Sequence, residues 1–372
     1  MKVLLLNSLG IYGGGEFFVL QLAGFLKLKG NDVWVGCRKD TPLYMKCSEA
    51  GISTVIFDFP ENGKGKLKKN VNAVKEFISD NSVQIVHTNT NYDRTAGAVA
   101  AELAGAVHIA SVHSLQSISH NITHWTRNKF FVDKFLADGK IVKNFLIRGD
   151  KIDEKKIAVI NLGIDPDLYK RDDAKRASMR DEFSINKDDI LVGNVGRLVD
   201  FKGQEVLVKA FKITAEEFPH ARLMIVGEGE LKETLKKLTA ESGLKDKIIF
   251  AGSRDDMQAA YSAFDIYAHT PKEGGGELFP FAVLYAMAAG LPAVATGVGE
   301  IPNMILEDEN GFIENYSEKE ISEKLHRLIT DKTLRQTMGA NGIIRLKDKF
   351  TLDKMGGDIL KLYSNILSKR NI

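Results

Sequence analysis

Three groups of residues in this chain are of types that bind phosphate or stabilise developing charge. The first is the run Gly13-Gly14-Gly15-Glu16. The second joins Gly196-Arg197 to Lys202-Gly203, with Gly227-Glu228-Gly229 further along. The third is Glu277, which follows Gly274-Gly275-Gly276 and heads an apolar run. A guanidinium can grip a phosphate through two parallel N–H bonds, and an ammonium acts as a point charge. Glycine lets backbone approach an anion closely, and a helix N-terminus offers free N–H groups with roughly half a positive charge. Glu228 and Glu230 should repel phosphate, so the glycines beside them point to a ring or ribose. Two separated sets of this kind suggest one anionic ligand held between two domains.

Residues 3–6 form an unbroken apolar run, as expected of a strand covered on both faces. Behind the first glycines, Val19, Leu22, Ala23 and Leu26 fall at i, i+3, i+4 and i+7, one face of a helix. Gly30 ends that helix, and residues 33–36 start the next strand. Further strands are expected at 54–57, 83–87, 107–113 and 157–161. A polar, charge-dense stretch, 165–189, follows. The rhythm then restarts at 190–195, 222–226, 248–252, 265–268 and 292–295, with Leu207, Ala210, Phe211 and Thr214 on another helix face. Residues 351–369 close the chain as a long helical pattern. This alternation is that of doubly wound parallel sheets, so the expected class is α/β with two Rossmann-like domains. Arg197 then stands at the carboxyl end of a strand, where open α/β sheets bind ligands. The first glycine run is not a clean dinucleotide fingerprint, and no ribose-binding acid is evident about 20 residues on, which disfavours hydride transfer.

Composition excludes several classes. Of 372 residues, 44% are hydrophobic and 27% charged, which is ordinary for a globular protein. Lys and Arg number 51 against 49 Asp and Glu, so no global field selects nucleic acid. The charge is uneven: residues 1–165 carry 21 basic and 16 acidic side chains, and the remainder 30 and 33. The first half is therefore the better suited to an anionic surface or acceptor. Cys37 and Cys47 suggest neither a disulfide framework nor a metal site. The opening MKVLLLNSLG reads as a buried strand and not a signal peptide, and no run reaches the roughly 20 apolar residues that span a bilayer. Residues 120–148 interleave Trp125, Phe130, Phe131, Phe135 and Phe145 with six basic and two acidic residues, and Lys64, Lys66, Lys68 and Lys69 form a second basic loop. These read either as core aromatics with solvated charges or as a docking face for an anionic membrane or lipid-linked acceptor.

The ordered set GGGE, IVHTN, SVHS, INLGID, VGRLVDFKG, MIVGEGEL, IIFAGS and ELFPFAVLYAMAAGLPAVAT resembles a retaining glycosyltransferase of the GT-B fold, family 4 (glycosyl transferases group 1), over nearly the whole chain. The resemblance implies two Rossmann-like domains facing across a cleft, at 1–165 and 190–350. It also implies a hinge at 166–189 and a C-terminal helix, 351–372, crossing back to the first domain. By matched position, Arg197 and Lys202 would hold the donor diphosphate, with the Gly14 and Gly15 backbone close by. Gly196, Gly227, Gly229 and Phe279 would line the nucleotide sugar. Glu277 and His113 would lie against the donor sugar, and His87 is a lesser candidate. The family's second acid should fall eight residues after Glu277, where this chain has Tyr285, and Asn303 also stands where an acid is common. A Tyr285 hydroxyl would have to serve the nucleotide ribose in its place.

The activity implied is metal-independent transfer of a hexose from a nucleoside-diphosphate sugar to an acceptor hydroxyl, with retention. The leaving phosphate would help deprotonate the acceptor, and no cofactor beyond the donor substrate is required. Asp165 and Asp167 make a D-x-D string, but in the hinge motif, where a structural role is expected. Expected partners are the nucleotide sugar, a saccharide or lipid-linked acceptor of surface-glycan assembly, and an anionic membrane surface through residues 64–69 and 120–148. Nucleic acid is not among them. A cytoplasmic protein, peripheral on the inner membrane face, would follow. A GT-B-type sugar-nucleotide epimerase and a catalytically weak nucleotide-sugar-binding subunit are the competing readings, the second prompted by Tyr285 and Asn303.

Overall fold

The computed structural model describes residues 1–60, 65–115 and 122–370. Lys64 of the basic loop and residues 120–121 of the aromatic segment lie outside the described residues. The chain divides into two compact units, Met1–Gly163 with Leu352–Ile372, and Ile164–Thr351.

In the first unit the strands are β1 (Lys2–Leu6), β2 (Asp32–Cys37), β3 (Ser53–Ile56), β4 (Ile85–Thr88), β5 (Val107–Val112), β6 (Lys134–Ala137) and β7 (Ile157–Val159). They form one parallel sheet in the order β3-β2-β1-β4-β5-β6-β7. Val3, Leu4, Leu5 and Leu6 are fully buried, which is why β1 reads as an unbroken apolar run. The helix Leu352–Arg370 belongs to this unit, as the resemblance implied. Gly356 lets it pack on Phe25, since a Cβ there would lie 2.3 Å from the ring. Tyr363 reaches the sheet, its hydroxyl 2.6 Å from His87 Nδ1.

In the second unit β8 (Ile190–Val195), β9 (Ala221–Val226), β10 (Ile248–Gly252), β11 (Ile266–His269), β12 (Ala293–Thr296) and β13 (Gly311–Glu314) form a parallel sheet in the order β10-β9-β8-β11-β12-β13. Within the expected hinge stretch, residues Asp173–Glu182 form a helix. Arg176 and Arg180 of that helix grasp Asp265 at 2.7 and 3.3 Å, and Asp265 also accepts from Leu191 N–H. In both sheets the strand order reverses once, between β1 and β4 and between β8 and β11. Chain leaving the carboxyl ends of such a strand pair diverges and opens a crevice, the usual ligand position in this architecture.

Three histidines lie on or directly after β4 and β5 of the first sheet, and two are consumed by the core. His87 has Tyr363 on Nδ1 and Ser111 Oγ at 2.7 Å on Nε2. His108 has the Phe131 carbonyl on Nδ1 and Thr88 Oγ1 on Nε2, each at 3.0 Å. His87 is therefore a packing residue, and its candidacy as a ligand contact ends there. Burial pushes both imidazoles down to about 3. The unfolded chain protonates them near 6.5 and the folded chain does not, so their contribution is complete above that pH and is lost as pH falls from 6.5 toward 3. Each should cost about 2 kcal/mol of unfolding free energy at about pH 5. Urea melts at about pH 7.5 and about pH 5 should show that drop, reduced by about half in His87→Gln. An equal drop in the variant would contradict the assignment.

Candidate functional site

The loops leaving β8 and β11 are stitched together at the reversal of the second sheet. Lys202 ends a single 3-10 turn, Asp200–Lys202. Its Nζ lies 2.5 Å from Glu277 Oε2. His269, the last residue of β11, donates Nε2–H to the same oxygen at 3.1 Å and accepts from the Tyr267 hydroxyl on Nδ1 at 3.2 Å. Gly203, at φ 68°, is required here: a Cβ would stand 1.8 Å from the Thr270 carbonyl oxygen. Thr270 Oγ1 returns a bond to the Gly203 carbonyl at 3.0 Å. Glu277 is only 8% exposed. Burial pushes its carboxyl up, but the His269 N–H and the Lys202 ammonium outweigh it and hold the group at about 2. Burial keeps His269 below its ordinary range, the neutral form this donor–acceptor chain needs.

Of the other residues singled out in this unit, Arg197 is exposed and, among the described residues, its guanidinium has no ion-pair partner. It is a free cation beside a neutralised pair. Gly196 is under no steric constraint, its added Cβ meeting the Lys202 stem at 3.8 Å and Gln204 Nε2 at 4.0 Å, both ordinary contacts. Gly227 and Gly229 have an internal reason to be glycine. A Cβ would come within 2.0 Å of the Gly196 carbonyl oxygen and 2.4 Å of the Leu198 carbonyl oxygen respectively, because the two loops run backbone to backbone. Phe279 is 7% exposed and packs edge-on against Phe350 at 5.9 Å. Tyr285 stacks on Tyr169, with centroids 3.8 Å apart and planes at 16°, and also meets Tyr261. Asp165 caps its own turn, accepting from Asp167 N–H at 3.0 Å.

In the first unit, Gly14 and Gly15 open the helix Gly14–Leu28 directly after β1. Glu16 folds back to accept from Gly13 N–H at 2.9 Å and from Asn7 Nδ2 at 3.0 Å. A Cβ at Gly15 would meet only His113 Cδ2, at an unstrained 3.7 Å. His113 follows β5, and its Nδ1 lies 2.8 Å from Asp138 Oδ2. Asp138 follows β6, which the sequence reading missed inside the basic aromatic segment. The structure sorts that segment. Phe135 and Arg127 are buried in the core, whereas Trp125 and Phe130 are 50% and 58% exposed with Lys129 over both rings. Lys66 and Lys69 of the second loop share Asp58 at 2.8 and 3.0 Å.

Two family models divide the chain. One described as glycosyl transferases group 1 matches residues 175–345, and one described as glycosyltransferase family 4 matches residues 12–168. The chain belongs to the group 1, family 4-like glycosyltransferases. It is 30% identical over 187 residues to the GDP-mannose-dependent alpha-(1-6)-phosphatidylinositol monomannoside mannosyltransferase of Mycobacterium tuberculosis, a span of 48% of each chain. To the capsular polysaccharide biosynthesis glycosyltransferase CapM of Staphylococcus aureus it is 24% identical over 249 residues, 64% of this chain and 63% of that one. The first of these matches thus spans about half the relative's length. Among solved structures, Anabaena HepE in complex with UDP superposes with a TM-score of 0.87 at 22% identity, covering 98% of this chain and 100% of that one. The fold is therefore GT-B, with two Rossmann-like domains.

The buried Lys202–Glu277 pair yields a stability test. Removing one partner of a buried pair typically costs about 3–5 kcal/mol, and replacing both by apolar groups costs little. Lys202→Met should therefore lower stability by about that amount, and Lys202→Met with Glu277→Leu should recover most of it. A double variant no more stable than the single one counts against a paired charge.

Proposed function

We propose that this protein is a retaining glycosyltransferase that moves a hexose from a nucleoside-diphosphate sugar to an acceptor hydroxyl, without a metal, in surface-glycan or lipid-linked saccharide assembly. The observation that carries the reading is Arg197, without an ion-pair partner among the described residues, at the reversal point of the second sheet beside a preformed Lys202–Glu277–His269 cluster. In this reading Arg197 and Lys202 take the diphosphate and Glu277 contacts the donor sugar. Tyr285 stands toward the ribose. Within the first unit, His113 and the Gly14-Gly15 turn are the proposed ligand contacts. The reaction builds negative charge on the leaving diphosphate and positive charge on the sugar ring. Arg197 can meet the first without surrendering another partner, and Glu277, kept ionised, can favour the second. Support for a nucleotide donor comes from relatives of this fold determined with UDP and with UDP-glucose.

A weaker subunit role is the second reading, and it rests on Tyr285. An aromatic ring stacked on Tyr169 has less freedom to turn toward a ribose than the acid expected there. Thermal shift with nucleoside diphosphates and their sugars, followed by turnover with the best donor, separates the two. A ligand at 100-fold its Kd should add about 2.7 kcal/mol of stability. Arg197→Ala should leave folding intact and lower turnover roughly 10²–10³-fold, about 3–4 kcal/mol. Near-normal turnover in the variant sinks the assignment.

For the acceptor side we propose that Trp125, Phe130 and Lys129 of residues 120–148, with the basic loop 64–69, meet an anionic membrane carrying the acceptor. Among the described residues no helix is long and apolar enough to cross a membrane, so attachment would be peripheral. Near such a surface each Lys or Arg is worth about 1 kcal/mol. Trp125→Ala with Phe130→Ala should reduce co-sedimentation with anionic vesicles several-fold. Unchanged sedimentation of the variant removes these rings from the proposal.

A further inference from the structure

Among the three histidines of the first sheet, His113 is the exception. His87 and His108 have both ring nitrogens bonded within the core. His113 has Asp138 on Nδ1, yet its Nε2 is shielded from solvent and lacks a partner among the described residues. A buried, unpartnered nitrogen is normally destabilising and calls for a reason. Its surroundings leave that nitrogen unopposed. Phe18 packs on the ring at 4.9 Å, and the Cδ2 edge beside Nε2 faces Gly15, where no side chain intervenes. Asp138 is 2% exposed, so its carboxylate is committed to this contact and to little else.

We propose that Asp138 is a positioning residue that clamps His113 by Nδ1 and so presents Nε2–H as a donor to an oxygen of the bound sugar nucleotide. The inference rests on the transferase reading and adds to it a residue outside the family-matched set. An ionised Asp138 at 2.8 Å requires a proton on Nδ1, which excludes the tautomer that would carry its only proton on Nε2. Nε2 is then a donor only in the imidazolium form. The groups facing the ring are Asp138 after β6, Glu16 from the helix Gly14–Leu28, Arg94 from the helix Asn91–Ala104, and neutral His87 from β4. Burial opposes the charged ring, Asp138 and Glu16 outweigh it, Arg94 subtracts, and the balance lies above the ordinary value. The donor therefore persists above the ordinary imidazole value and is lost as pH rises through the raised one.

The test is Asp138→Asn, read twice. The amide oxygen can still accept from Nδ1–H, but the negative charge is gone. The kcat profile of the full chain with its donor should show a basic limb that moves to lower pH, with about a tenfold loss of kcat on that limb and KM nearly unchanged. Asp138→Ala, which also loses the clamp, should fall further at every pH. In parallel, the His113 imidazole is followed by NMR titration in the donor-free protein, against His113→Gln to assign the signal, and should titrate lower in Asp138→Asn. A variant whose kcat limb and His113 titration both match wild type overturns the proposal, as does a shifted titration with an unmoved limb. Should wild type transfer no sugar, the transferase reading fails, and with it the ligand role, while the titration still decides whether Asp138 sets the state of His113.

Discussion

A carboxylate as buried as that of Glu277 stays ionised only if donors offset its lost hydration, and the second unit brings two of them to Oε2. Lys202 comes from the turn after β8 and His269 from the end of β11, so one oxygen ties together the two strands at which the sheet reverses. The neighbouring contacts repeat the same stitch. Thr270 bonds Gly203, Lys272 N–H bonds the Phe201 carbonyl, and the Lys272 ammonium pairs with Asp200. The crevice that topology would open anyway is thereby held by a charge network and not by apolar contact alone. Two donors fixed on one carboxylate oxygen restrict its movement, which would suit a site proposed to meet a charged ligand in one geometry.

The first unit solves the same problem with imidazoles. His87 and His108 are spent on tying β4 to the C-terminal helix and β5 to the segment before β6. Their neutrality is the cost of burial, and their bonds are complete. His113 differs because its partner is a carboxylate and its second nitrogen is unsatisfied. Two satisfied rings and one half-satisfied ring on the same sheet separate the two structural histidines from the one proposed to act, more sharply than burial does.

The alternation of strands was legible in the sequence because fully covered parallel strands are apolar without interruption, as at residues 3–6 of β1. The weaker ones were not. β6, with the sequence KFLA, starts at Lys134 inside a basic segment, and β13 is only Gly311–Glu314. Missing β6 hid Asp138, since a carboxylate at a strand end becomes noticeable only once the strand is seen. His269 was equally unmarked. It lies eight residues before Glu277, and nothing in that spacing brings an imidazole onto the carboxylate; the fold of the glycine-rich loop does. Gly227 and Gly229 carried the right signal, close backbone approach, but the approaching backbone is the neighbouring loop. The place of Tyr285 could be read from the segment, and its stacking on Tyr169 could not, because Tyr169 lies more than a hundred residues away.

The paired state of Lys202 bears on how a diphosphate would be received. An ammonium already 2.5 Å from a carboxylate offers a phosphate less than a free one, because its charge is largely cancelled at a distance. It still has three N–H groups and can donate to both anions at once. Sharing is tolerable only if Glu277 does not depend on Lys202 alone, and His269 supplies the second bond. The long-range attraction then falls to Arg197, and Lys202 contributes at contact, where a fixed N–H direction matters more than net charge. On this argument the two cations of the proposed site are not interchangeable. Arg197 would govern capture and charge stabilisation, and Lys202 would couple the diphosphate to the carboxylate proposed to face the sugar.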